Sequence, residues 1–229
     1  MAMQESNQIN HDQTPEPASD FGATLLRAAW LAIALGLLME VILLVLGGAL
    51  GEVFGLRQLV ADLVRNITWS VFVCVGLAIG TAVAKARVPV MGALGLLSAP
   101  LAFEASRVFH KGTLEALAVS GGGGDEISPL LVGVIKGLEY GCLGLGVGWV
   151  SQRRWGGAAA HAAVGLLIGL LFGGTAIALT PGPIGQLSTA EVLIELVNEV
   201  LFPVGCCLVL FSAKALGERA TNQQDRARE

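Results

Sequence analysis

The chain has 229 residues, of which 54% are hydrophobic and only 14% charged, against roughly 25% charged in an ordinary soluble domain, so a water-soluble fold of this size could not cover itself. A formal net charge of -4 without a basic run or an aromatic-basic alternation excludes a nucleic-acid surface, and no nucleic-acid partner is expected. Cys74, Cys142, Cys206 and Cys207 all fall in apolar runs, without zinc-site or disulfide-framework spacing, and read as small hydrophobes.

Residues 1–22 open the chain as a polar segment rich in Gln, Asn, Asp, Glu and Pro, with no Lys or Arg. Such a composition buries too little apolar surface to order itself, which predicts a solvated tail. A cleavable signal peptide would place positive charge directly before a short apolar core, the reverse of what stands here. Residues 23–216 then hold six long apolar runs, near 25–46, 68–86, 90–110, 130–150, 158–180 and 189–213, and residues 217–229 form a second tail. Each run approaches the ~20 residues that cross a ~30 Å hydrocarbon layer. The predicted class is all-α, a polytopic membrane protein with six transmembrane helices and the lipid bilayer as its first partner.

Taken in order, span one carries Glu40 with no basic residue near it in sequence. Span three carries Glu104 with Arg107 three positions on, and span four carries Lys136 with Glu139, each pair close enough to meet across one turn. His110 beside Lys111 reads as an interfacial, solvated histidine, and His161 is equally isolated, so no metal site follows from the two. The run Gly121 to Gly124 with Asp125 and Glu126 reads as a flexible external loop, since no strand precedes it. Gly137, Gly141, Gly144 and Gly148 of span four and Gly165, Gly169 and Gly173 of span five read first as packing positions that let helix backbones approach. Room for a substrate path is the alternative. Ser188 and Glu191 form the two ends of a capping box that opens span six. Beyond it come Glu195, Asn198 and Glu199 on one face, and Pro203 one turn later, freeing a backbone carbonyl in mid-span.

An even number of spans puts both termini on one side. Nine basic residues accompany the termini, Arg27, Lys85, Arg87, Arg153, Arg154, Lys214, Arg219, Arg226 and Arg228, against Arg57, Arg65, Arg107 and Lys111 on the other side. The excess places both termini in the cytoplasm, of an inner or plasma membrane. Trp30, Trp69, Trp149 and Trp155 fall near span ends, as an aromatic belt requires. The stretch from Gly80 to Ala84 reappears from Gly174 to Ala178, and Pro89-Val90 as Pro183-Ile184. This aligns span two with span five as an inverted 3+3 repeat, or it is a chance match in a chain rich in Gly, Ala, Leu and Val.

A charge at mid-bilayer costs about 2.5–3.5 kcal/mol on insertion scales, so each one kept there should face protein or water and have a partner. By position along their spans, all five intramembrane glutamates fall between the midplane and the outer face. Glu195 and Glu199, four apart, cannot both ionise cheaply, so one is expected to hold a proton or share a cation. The leading reading is a small transporter or ion-permeation protein in which Glu40, Glu139, Glu195, Glu199 and Asn198 bind a proton or small cation. Glu104, Arg107 and Lys136 support them as ion pairs. The competing reading is a non-transporting subunit or scaffold whose charged faces pair with a partner's helices or with a further copy of the chain. A lipid-acting membrane enzyme comes third. No cofactor is expected, and the motifs that would name an enzyme, a phosphate-binding loop, HExxH or GxSxG, are missing.

Overall fold

A computed structural model describes residues 17–81, 87–119, 128–178 and 188–228. The described residues form six helices: α1 (Pro17–Ala49), α2 (Leu56–Gly80), α3 (Arg87–Ala116), α4 (Pro129–Val150), α5 (Ala158–Ala178) and α6 (Thr189–Arg228). All six are long and apolar enough to cross a membrane, which establishes the all-helical membrane class. An inverted relation between the first and last three helices is not shown. Much of the matched sequence (82–84 and 183–184) lies outside the described residues, as do residues 1–16 of the first expected tail and the glycine loop at 121–126. Within the expected tails, residues 17–22 and 217–228 are helical: α1 begins at Pro17, and α6 runs on to Arg228.

Helix ends follow from local chemistry. After α1, Gly51 adopts φ +88°, and the Glu52 and Gly51 amides donate to the Gly47 and Gly48 carbonyls at 2.9 and 3.2 Å. This is a Schellman cap, whose left-handed residue favours glycine. The same pattern ends α3, with the Val119 and Ala118 amides donating to Leu114 and Glu115, but here the left-handed position (φ 53°) is Ala118. Arg57 donates to the nearby Leu117 carbonyl at 3.0 Å. Pro129 occupies the first turn of α4, where a missing N–H costs nothing. The expected capping box opens α6: the Ser188 amide donates to Glu191 Oε2 at 2.8 Å, and the Glu191 amide to Ser188 Oγ at 3.1 Å.

Glycine contacts fix the packing. A Cβ on Gly36 would meet Ile67 Cα at 2.7 Å, on Gly80 Met91 Cα at 3.0 Å, on Gly148 Val88 Cα at 2.9 Å and on Gly165 Val204 Cα at 2.5 Å. Consecutive helices are therefore antiparallel and close, and the glycines of α4 and α5 act as packing positions. In space, α1 lies between α2 and α6, α3 between α2 and α4, and α5 between α4 and α6. The even-numbered helices run parallel to one another and meet at the centre: Trp69 of α2 touches Tyr140 of α4, Lys136 of α4 touches Glu199 of α6, and Cys74 of α2 touches Cys206 of α6. α4 is the most enclosed helix, and α1 and α5 the least.

One boundary differs in a way that matters. The second span was expected from Thr68, but α2 starts at Leu56. Gln58, Asp62, Asn66 and Ser70 recur every fourth residue and turn into the bundle, with Asn66 and Ser70 buried. The intervening apolar residues Leu56 and Val60 face outward. Averaged hydropathy reads such an inside-out stripe as a loop. Trp69 is consequently not an interfacial residue; it sits halfway along α2, inside the bundle. Trp149 and Trp155 do lie together at the far end of α4, 5.5 Å apart, with Arg153 over the Trp149 ring.

Candidate functional site

Four polar residues that face the interior collect about ten residues, or ~15 Å, from the bundle end where α1 finishes and α2 begins. Glu40 lies at that distance from the end of α1, and Asn66, Glu139 and Glu199 lie at that distance from the starts of α2, α4 and α6. Leu35 packs on Gly205, and Ile194 lies beside Gly47, a register that sets Glu40 level with Glu199.

The centre of this layer is Lys136. Its Nζ donates to Glu139 Oε2 at 2.9 Å, across one turn of α4, and to Glu199 Oε2 on α6. Glu139 is 1% exposed, Glu199 7% and Lys136 12%. The Trp69 ring lies 5.9 Å from Lys136 Nζ, within cation–π range. Its indole N–H points at the Tyr140 hydroxyl at 3.4 Å, and the two rings meet edge to face. Two carboxylates thus share one ammonium, which leaves one negative charge in excess when both are ionised. Among the described residues, Glu139 Oε1 is buried without a hydrogen-bond partner, as is Asn198 Oδ1.

Local sequence explains how Glu199 is presented. Pro203 has no N–H to give the Glu199 carbonyl, and Gly169 of α5 covers that side so closely that a Cβ would lie 3.1 Å from the carbonyl oxygen. A Cβ on Gly173 would stand 3.0 Å from the Glu199 Cβ. α5 therefore closes the outer flank of Glu199 and leaves its carboxylate directed toward α4.

The remaining expected site residues separate from this centre. Glu40 is half-buried and accepts a 2.7 Å hydrogen bond from Asn66 Nδ2. Arg65, one residue before Asn66, is close enough for its charge to act on Glu40, His110 and Glu195. Glu195 keeps exposed surface, although the charges of Glu199 and Lys136 also act on it. Glu104 lies on the outer face of α3, and among the described residues no ion pair joins it to Arg107, which is itself engaged. That expected support is corrected: the helix turns Glu104 away from the bundle, in line with Leu97, Leu101 and Val108, all exposed.

Sequence reasoning passed over Asn66, Asp62, Trp69 and Tyr140. His110 is not simply solvated: its Nε2 lies 3.2 Å from Asp62 and 3.5 Å from Gln58 Nε2, and Asp62 also pairs with Arg65 at 3.4 Å. The signal was present in residues 56–67, where Leu56, Leu59, Val60, Leu63, Val64 and Ile67 follow a helical period. His161 is a satisfied core residue between Ser151 Oγ and the Gly157 carbonyl. Among the described residues no group of three or more His, Cys, Asp or Glu is placed to hold a metal. No protein-family model, curated protein or solved structure matches this chain.

Proposed function

We propose that this chain is a small membrane transporter or ion-permeation protein that handles protons or small cations at the Lys136–Glu139–Glu199 centre. One observation carries the reading: two buried carboxylates share a single ammonium, and no described residue donates to Glu139 Oε1. A structural ion pair needs one anion per cation; the surplus carboxylate is a place for one further proton or cation. The inward polar stripe of α2, Gln58, Asp62 and Asn66, supports entry from the nearer bundle end, which the basic-residue bias makes the outer face, with both termini cytoplasmic. Neither an inverted repeat nor a shared chamber for all five glutamates is needed.

The test is flux in reconstituted vesicles carrying a trapped pH dye, with sodium and potassium gradients as separate arms. Glu139→Gln and Glu199→Gln keep shape and remove charge, and each should reduce flux at least tenfold with the protein still folded. Undiminished flux in both variants removes the centre from the mechanism.

A second reading is favoured by Glu104. A carboxylate among Leu97, Leu101 and Val108 on the outer face of α3 needs a donor, and among the described residues none is placed beside it, as in a subunit or scaffold joined to a partner's helix or a second copy. Under it, mild-detergent purification recovers a stoichiometric partner or a dimer, and Glu104→Leu releases it. A wild-type monomer that Glu104→Leu leaves unchanged rejects it.

A further inference from the structure

We infer that Glu139, Glu199 and the Trp69 ring form a binding site for a primary-ammonium cation, in which Lys136 is a tethered occupant that a soluble ammonium displaces. The inference deepens the transport reading by naming a ligand class, and rests on that reading only for flux; binding at equilibrium requires no transport.

The site already holds an ammonium. Of the three N–H donors on Lys136 Nζ, one goes to Glu139 Oε2 and one to Glu199 Oε2, and the indole of Trp69 stands 5.9 Å from the nitrogen. Carboxylates on one side and an aromatic face on another are the surroundings that an organic ammonium prefers. Calcium and magnesium take about six or more oxygen ligands, waters included, and the third wall here is a ring. Glu139 Oε1 adds a buried acceptor that Lys136 does not reach, on a side chain 1% exposed. Lys136 is the most accessible of the three charged groups and the only one on a long flexible stem, so it can leave while the carboxylates, fixed by packing against α5 and within α4, stay in place.

A purely structural ion pair predicts differently. In the detergent-purified full chain, Lys136→Ala opens the ammonium position, and thermal unfolding is followed during titration with methylammonium chloride or, at equal ionic strength, tetramethylammonium chloride. The expected result is a midpoint that rises and saturates with methylammonium, by ligand linkage, and stays flat with tetramethylammonium, which has no N–H to donate. Adding Glu199→Gln should abolish the rise. Lys136→Ser repeats the measurement in a second background, and a variant recovered folded only when methylammonium is present also supports the site. Equal responses to both salts, no response in either variant, or failure of both to fold in any salt overturns it, the lysine then being irreplaceable structure. Binding without vesicle flux would refute transport and leave the site standing; flux with no binding would do the reverse.

Discussion

At the residue scale, the interior is organised by how few donors it has. Lys136 serves two carboxylates, and Asn66 serves Glu40. Removing the shared cation leaves two buried anions facing each other, so Lys136→Met should destabilise the protein by about 3–5 kcal/mol. Adding Glu139→Gln and Glu199→Gln removes the stranded charges and should restore most of that loss while flux stays absent, read by equilibrium unfolding in mixed micelles. A triple variant as unstable as the single one would mean that the lysine stem, not its charge, holds the helices. Of these contacts, only Lys136–Glu139 was legible in the sequence, because three residues on a helix is a fixed distance. The partner of Glu199 lies 63 residues away, and the partner of Glu40 lies 26 away. No spacing rule reaches that far.

At the element scale, prolines and glycines work in pairs across helices. Pro100 in α3 and Pro203 in α6 deprive the Leu96 and Glu199 carbonyls of the usual amide donor four residues on. Each is met by a glycine of a neighbouring helix: a Cβ on Gly137 would lie 3.0 Å from Leu96 O, and one on Gly169 3.1 Å from Glu199 O. Gly169→Ala should therefore lower the thermal midpoint, although alanine is the better helix former by about 1 kcal/mol; a higher midpoint would show that α5 and α6 have slack. Ala118 presents the opposite case. It holds φ 53° at the cap of α3, a conformation costing an L-residue roughly 1–2 kcal/mol, so Ala118→Gly should stabilise by about 1 kcal/mol in denaturant titrations. The Ser188 capping box was readable in advance because its four residues act alone. The start of α2 was not read, because Asp62, Arg65 and Asn66 look like a loop until a neighbour exists for them to face.

At the scale of the whole molecule, three parallel helices, α2, α4 and α6, meet at the centre, and α1, α3 and α5 fill the grooves between them. The thiols of Cys74 and Cys206 lie 3.5 Å apart across that centre, while Cys142 is exposed on α4. Treatment of membranes with iodine, which takes the two electrons and leaves as iodide as the thiol protons are lost, should join Cys74 to Cys206 within one chain. Peptide mapping that finds Cys74 unlinked would refute the central placement of α2 against α6. The sequence by itself determined the membrane class and the six helices, because hydropathy and helical rise are local properties counted along one chain. Which carboxylates meet, which one faces outward and which lysine joins them were decided only in the tertiary structure. Each depends on how a helix is rotated about its own axis, and that rotation is set by close packing between helices distant in sequence.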